Sequence, residues 1–509
     1  MSSPAQHLPL APGRALGPLA AALLVAALAS GCVTVGPDYA PPETPQAPRW
    51  SVPADGPLAA GPVADGVLVT WWQALDDPVL SDLIERALAD SPDLAAARAR
   101  LDRVRALLRS TETDRLPTVD ASGSVISAES SAQTSAPGQA GTGNRVEIYR
   151  AALDASWELD LFGRVRRSVE AAVADLEGAA ADLGAVRVSL VAEVATTYVD
   201  LRTFEARLAL AEDNLAAQQG TFDLASERFD AGLAGRLDVE QARSNLATTR
   251  SQIPPLRTGL AGAKNRLAVL TGAVPGSFEA AAAEERAGAI PLPPAEIAIG
   301  IPAEALRRRP DVLAAERRVA AETARIGVAT AELYPRFALS GSIGVEALDL
   351  DGLFDSGSPF STFGPSFSWR LFDRRAVRAG IAAQTATQEE ALSLYRSTVL
   401  LALEESENAL VSFAQERLRL ESLRAAVAAT EKTTALAEEL YRSGLRDFQQ
   451  VLDAQRSLLA LEDQRAESEG RVTQNLVALY KSLGGGWTPL PRSSNPEALP
   501  DATSDEGNR

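Results

Sequence analysis

Ser91-Pro92-Asp93-Leu94 returns as Arg309-Pro310-Asp311-Val312, and Leu116-Pro117 returns as Tyr334-Pro335. Both recurrences lie 218 positions apart (92 to 310, 117 to 335), so the helical stretch of about 25 residues between the prolines has one length in both copies. Further on, Trp157 matches Trp369, Phe162 approximately matches Phe372, and Gly232-Leu233 matches Gly444-Leu445, with the separation reduced to 212 (157 to 369, 232 to 444). The six-residue difference falls between Pro117 and Trp157, where a loop absorbs it. The chain is one architecture written twice.

Between the matched prolines and tryptophans the pattern has a period of two. Thr118 to Val125 and Arg150 to Trp157 flank a Ser/Gly/Gln/Thr-rich segment, while Phe337 to Ile343 and Pro365 to Trp369 flank its shorter partner. Each copy thus carries one hairpin of strands about 10 residues long, a length that crosses an outer membrane when tilted. Four strands are too few to close a barrel. Because an open sheet edge cannot face hydrocarbon, strands that span lipid here require an oligomer. A small soluble hairpin is the alternative that the pattern leaves open.

After each hairpin a proline-free helical run extends from about Val165 to Phe229 and from about Arg374 to Tyr441, approaching 100 Å at about 1.5 Å per residue. Heptad columns run through Leu208, Leu215, Phe222 and Phe229, and again through Leu420, Val427, Thr434 and Tyr441. Such spacing packs helices side by side as coiled coils, and the columns read as core. The helices turn at Asp230 to Gly235 and at Arg442 to Asp447, and glycine suits the left-handed conformation of such a cap. Pro254-Pro255 is expected to break the first return helix, with no counterpart in the second. The expected fold is mostly α with a small β part, namely duplicated long coiled-coil helical hairpins plus two β-hairpins per chain. Trp71-Trp72 reads as a buried anchor rather than a binding platform.

The ends read differently. Arg14 before the apolar run from Leu19 to Leu28 marks a targeting segment, and Ala29-Ser30-Gly31-Cys32 resembles a lipobox, whose cysteine takes a diacylglyceryl group and becomes the mature N-terminus. Val33 in place of Asp implies transfer to the outer membrane. The organisation expected is a signal segment 1–31, a lipid-anchored segment 32–90, a first repeat 91–273 with its β-hairpin 118–157, and a linker 274–301. A second repeat 302–484 with its β-hairpin 337–369 and a disordered tail 485–509 follow. Cys32 is the only cysteine and His7 the only histidine, and His7 falls in the removed segment. Ser-His-Asp and Cys-His nucleophilic sites and Cys/His zinc sites are thereby excluded, and neither an enzyme nor a cofactor is expected. A net charge of −18 argues against a nucleic-acid partner.

Val35-Gly36-Pro37-Asp38-Tyr39, Trp71-Trp72 with Leu75-Asp76-Asp77-Pro78, Glu158-Leu159-Asp160-Leu161-Phe162-Gly163-Arg164, Arg309-Pro310-Asp311-Val312 and Val451-Leu452-Asp453-Ala454-Gln455-Arg456 follow one another along the chain. In this order they resemble the TolC-type outer-membrane efflux family, in its lipoprotein branch. The resemblance implies a homotrimer with a 12-stranded outer-membrane barrel and a periplasmic α-barrel. It also implies a periplasmic adaptor (membrane fusion) protein and an inner-membrane pump, often of the RND (resistance-nodulation-division) type, as partners in a tripartite system; drugs or other toxic compounds are the expected cargo, while metal-ion efflux and protein secretion use the same outer component. It further implies a periplasmic gate: Asp238 and Arg446 match a linked pair at the helix tips, and Asp453 matches an aspartate of an acidic pore ring whose companion's place Gln450 takes; Asp447 is a candidate substitute for that companion, with an exposed tip carboxylate as the plainer reading. At the second strand-to-helix junction, Asp373 stands where the family commonly has glycine. A structural or adhesive trimeric coiled-coil lipoprotein would explain the heptads, but not the paired strand hairpins.

Overall fold

The computed structural model describes residues 33–43, 50–51, 58–59, 65–129, 145–278, 289–294, 297–298 and 302–488. The targeting segment, Cys32 and the tail from 489 lie outside the described residues. The main elements are α1 (Pro78–Asp90), α2 (Pro92–Thr113), β1 (Thr118–Glu129), β2 (Arg145–Leu159), α3 (Arg164–Asp230), α4 (Arg236–Leu270), α5 (Pro310–Ala331), β3 (Arg336–Ala347), β4 (Pro359–Ser368), α6 (Arg374–Arg442) and α7 (Phe448–Ser482). Both long helices form as their proline-free sequence expects, with 67 residues in α3 and 69 in α6. At about 1.5 Å per residue each is roughly 100 Å long. The chain divides into two compact units, one comprising 1–40, 107–172 and 320–388 and the other 41–106, 173–319 and 389–509.

The first unit holds an antiparallel sheet in the order β1-β2-β3-β4. Its two hairpins have the same register: Thr118 faces Ser156 in one and Arg336 faces Ser368 in the other, which are the same positions under separations of 218 and 212. Successive strand residues point to opposite faces. The odd-numbered face carries Val119, Val125, Leu153, Ile343, Phe363 and Phe367, each at least half exposed in a single chain. The even-numbered face carries Asp120, Ser122, Arg150, Asp154, Ser342, Thr362 and Ser366. Here Ser122 Oγ donates to Asp154 at 2.5 Å and Arg150 Nη2 to Ser342 Oγ at 3.1 Å. The sheet is therefore apolar on one side and hydrogen-bonded polar on the other.

Where strands become helices, the indole N–H of Trp157 donates to Arg115 O and that of Trp369 to Leu333 O, both at 3.0 Å. The N-terminal strap is held at the first junction. Val35 N–H donates to Phe162 O at 3.1 Å, and buried Arg167 binds Val35 O at 3.2 Å and the Asp38 carboxylate at 2.6 Å. Gly163, at φ +81°, lies under Thr34, and a Cβ there would come within 2.9 Å of Thr34 Cα. The second junction has no such strap among the described residues. Asp373 takes the equivalent place and accepts from Val377 N–H at 3.2 Å, as Gly163 accepts from Arg167 N–H at 2.8 Å. The departure from glycine is explained by what lies on top of it.

The second unit holds the main core, with Trp71, Trp72, Leu80, Ile84, Tyr198, Leu201, Phe413 and Leu476 all buried. Trp71 stacks on Tyr480 at 5.3 Å, so the tryptophan pair is the buried anchor expected. Asp77 caps α1 by accepting from Val79 and Leu80 N–H, and its other oxygen accepts from Tyr198 at 2.8 Å. Arg202 Nε in turn donates to the Tyr198 hydroxyl at 2.9 Å. Burial pushes the Tyr198 pKa up, so the phenol stays a neutral donor. Asp77→Ala removes the cap and strands this buried hydroxyl, and should cost about 2–4 kcal/mol. The check is the urea midpoint of the helical circular-dichroism signal in detergent.

One expectation is corrected. Pro254 and Pro255 do not break the first return helix: α4 runs unbroken through both prolines for 35 residues, the same length as α7. The prolines remove the donors for the carbonyls of Arg250 and Ser251, four residues earlier. Both of those residues are exposed, where solvent can satisfy the freed carbonyls. The heptad columns also divide: Leu420, Val427, Thr434 and Tyr441 are buried, whereas Phe229 is largely exposed at the helix end.

Candidate functional site

The ends of the long helical hairpins are built alike. Leu233 N–H donates to Arg228 O and Gly232 N–H to Phe229 O, while Leu445 donates to Leu440 O and Gly444 to Tyr441 O. Gly232 and Gly444 take φ values of +73° and +71°, so each long helix closes with the same left-handed glycine cap. The two tips share their backbone cap bonds.

Asp238 lies in the first turn of α4, where its carboxylate accepts from Gly235 N–H at 3.3 Å. Arg446 is exposed and, among the described residues of one chain, has no ion-pair partner. Asp447 precedes α7 with no side-chain cap bond, and Gln450 N–H donates to its carbonyl at 3.3 Å. Asp453, one turn into α7, accepts from Gln449 at 2.9 Å and lies 3.9 Å from Arg456. A single chain therefore gathers these four groups at its tips without joining Asp238 to Arg446.

Two tip contacts were not expected from sequence. The Arg228 guanidinium lies 4.8 Å from the Tyr441 ring centroid, and its Nη1 reaches the Tyr441 and Arg442 carbonyls at 3.4 Å. A cation at the exposed carbonyls of a helix C-terminus is favourable, so the last turn of α3 clamps the end of α6. Tyr441 packs on Phe448 at 5.1 Å, and burial raises its pKa. Asp238 raises it further and Arg228 lowers it, which places both charges within reach of this phenol. Tyr441 lay in a heptad column and read as core. The signal that could have found the clamp is an arginine in the final turn of α3, one residue before Phe229, which the 212-residue repeat pairs with Tyr441 at the end of α6.

The second unexpected contact gives the Val451 to Arg456 motif a physical role. Gln455 Nε2 donates to Thr221 Oγ1 on α3 and to Glu438 Oε1 on α6, each at 2.9 Å, and Arg456 Nε donates to Asn245 Oδ1 on α4 at 2.8 Å. Two adjacent residues of α7 thus bind the three other helices. No group of three or more metal-ligating side chains is present among the described residues. No helix among them is long and apolar enough to cross a membrane.

The chain is similar to known proteins over most of its length. The family model for outer membrane efflux proteins matches residues 83–273 and 301–485, the two copies of the repeat. Nodulation protein T of Rhizobium leguminosarum bv. trifolii is 32% identical over 474 residues, covering 92% of this chain and 97% of that protein. The outer membrane protein OprJ of Pseudomonas aeruginosa is 32% identical over 469 residues, covering 91% and 95%. The solved outer-membrane channel OprN superposes with a TM-score of 0.82 at 39% identity, covering 89% of this chain and 99% of that one. With its duplicated helical hairpins, two-faced sheet and paired glycine-capped tips, the chain belongs to the outer membrane efflux protein family, whose members are channel proteins of the outer membrane.

Proposed function

We propose that three copies of this chain close one 12-stranded barrel and continue it as a tube of helices into the periplasm, forming a gated passive conduit for small toxic molecules. The sheet is the observation that carries this reading. It has four strands, two edges unpaired within the chain, one apolar face and one polar face. Its apolar face suits lipid and its polar face suits a water-filled lumen, and closure onto further copies removes both edges. Leu394, Leu400, Leu401, Leu418 and Leu436 on α6 are more than half exposed in a single chain, which suits burial against neighbouring helices. Acylation of Cys32 would tether the assembly at the inner leaflet. The partners are a periplasmic adaptor and an inner-membrane pump of the RND type, and the pump selects the cargo.

The gate consists of Arg446 of one copy linked to Asp238 of the next. Arg446 has no ion-pair partner among the described residues of its own chain, and Asp238 holds one long backbone bond, so both remain available. Three copies of Asp453, with Asp447 nearby, set an acidic ring near the mouth. The open channel should therefore prefer cations, and Asp453→Asn should move the reversal potential across a salt gradient toward zero. An unchanged potential would remove Asp453 from the pore.

The cellular test uses a strain deprived of its other outer-membrane channels. Supplying this chain with its adaptor and pump should lower the steady-state accumulation of a fluorescent amphiphilic dye severalfold. Equal accumulation with and without the chain would contradict the proposed function.

A further inference from the structure

The register by which neighbouring copies pair is written inside a single chain. Within the protomer, β2 of the first repeat pairs with β3 of the second, setting Asp154 opposite Ser342 and Trp157 opposite Leu339. In a closed ring the same kind of junction, second strand of one repeat against first strand of the next, recurs where β4 of one copy meets β1 of its neighbour. Exchanging the repeats carries each β2 position forward by 212 and each β3 position back by 218, the separations at which both hairpin registers coincide. We infer that β4 joins β1 of the next copy with Ser366 opposite Ser124, Phe367 opposite Gly123 and Ser368 opposite Ser122. This rests on the proposed ring of three copies and adds its residue-level contacts.

Backbone orientation agrees. Glu346 N–H donates to Ser358 O at 2.9 Å, one step beyond the facing pair Val345 and Pro359. Bonded and non-bonded pairs alternate along antiparallel strands, so the even-numbered residues of β4 bond to β3 and the odd-numbered ones turn their backbone groups to the open edge. Pro359 and Pro365, the two residues of β4 without an N–H, are both odd-numbered. Their missing donors cost the sheet nothing within the chain, and they discourage indiscriminate pairing at the edge. Ser361, Phe363 and Phe367 supply the outward N–H groups.

The faces agree as well. A shift of one residue would turn Phe363 and Phe367 into the lumen, so the competing registers are displaced by two. Within the chain, Gly341 lies beside Phe363, whose ring carbon would be 3.2 Å from an added Cβ. The inferred register gives Gly123, the equivalent of Gly341, the same aromatic cover from Phe367 of the neighbour.

The junction below the sheet is also built alike in both copies, at a separation of 210, two residues short of the strands. Phe162 stacks on Tyr334 at 4.6 Å within the chain. Leu161-Phe162-Gly163-Arg164 aligns with Leu371-Phe372-Asp373-Arg374, and Tyr334 with Leu116. Phe372 is fully exposed and Leu116 is 63% exposed in one chain, and this junction alignment seats Phe372 on Leu116 of the next copy.

Disulfide trapping in the full-length protein tests the register. Ser366 and Ser124 would form a non-hydrogen-bonded pair with Cα atoms about 4.5 Å apart, within disulfide reach. A variant with Ser366→Cys and Ser124→Cys should give covalent trimers on non-reducing gels under mild oxidation. Pairing Ser366→Cys with Ser122→Cys or with Ile126→Cys should give at least tenfold less, because those partners are diagonal at about 7–8 Å. Thr362→Cys with Ala128→Cys samples the same register should the first variant fail to reach the membrane. Light scattering of the purified variants in detergent separates the two ideas. Trimers linked through position 122 or 126 would overturn the register alone, whereas monomers throughout would overturn the ring on which it rests. Phe372→Ala should lower the temperature at which the trimer dissociates while leaving helical content unchanged, and an unchanged temperature would overturn its seat on Leu116.

Discussion

Channels carrying Asp238→Asn together with Arg446→Gln should pass more current than the unmodified protein. Exposed ion pairs contribute roughly 0.2–1 kcal/mol each. Three copies acting together would then move the open-to-closed ratio by between a few-fold and about a hundredfold. Asparagine is chosen at 238 because the Asp238 carboxylate also accepts from Gly235 N–H, and an amide oxygen keeps that bond while removing the charge. Charge loss is thereby separated from uncapping of α4. Asp238→Asn alone should give most of the effect, because both single variants break the same link. Rising ionic strength should open the unmodified channel and leave the double variant unmoved, since screening acts on the pair that the variant lacks. Equal conductance in both proteins would reject the link.

The second large effect is expected in the sheet, at Gly344→Val. Gly344 faces Ala152 where the two repeats meet, and a Cβ at this position would lie 2.3 Å from Ala151 O and 2.7 Å from Ala152 Cα. Both are backbone atoms of β2 and cannot rotate away. The pairing of β2 with β3 then fails at the fourth of its eleven residue pairs, four strands become two separate hairpins, and no ring can close. The expected outcome is loss of membrane-inserted trimer by more than tenfold, with degradation of the chain in the periplasm. Gly357→Val is the control, because nothing lies within 4 Å of its added Cβ. Normal trimer yield from Gly344→Val would mean that the repeats do not meet at this seam.

Much of the fold was legible because its signals are periodic. The recurrence of Pro92 and Pro117 at Pro310 and Pro335 announced the duplication, and the period of two from Thr118 to Val125 and from Arg150 to Trp157 announced the strand hairpins. The structure bears out two long helices, four strands and two equivalent glycine-capped tips. The prolines of α4 misled because the rule against proline in helices concerns donors and crowding, while the cost depends on whether the orphaned carbonyls reach water. Exposed Arg250 and Ser251 let them do so.

Contacts between distant side chains were less legible. Gln455 and Arg456 stand in a recognisable motif, yet their partners Thr221, Glu438 and Asn245 come from three helices that no local pattern joins to α7. Arg228 looked like any surface arginine until the ends of α3 and α6 were brought together. Asp238 and Arg446 were picked out by the family resemblance, and the link proposed between them requires a second copy of the chain. Symmetry between repeats, by contrast, carries information past the single chain, because one internal seam serves as a template for the external one.

The most direct test is single-channel recording from the purified full-length protein, its trimeric state verified by light scattering, in a planar bilayer of defined lipids. The expected result is unitary steps of small, cation-preferring conductance that grow severalfold in the protein carrying Asp238→Asn and Arg446→Gln. Verified trimers that insert and give no unitary current, in either protein, would contradict the conduit.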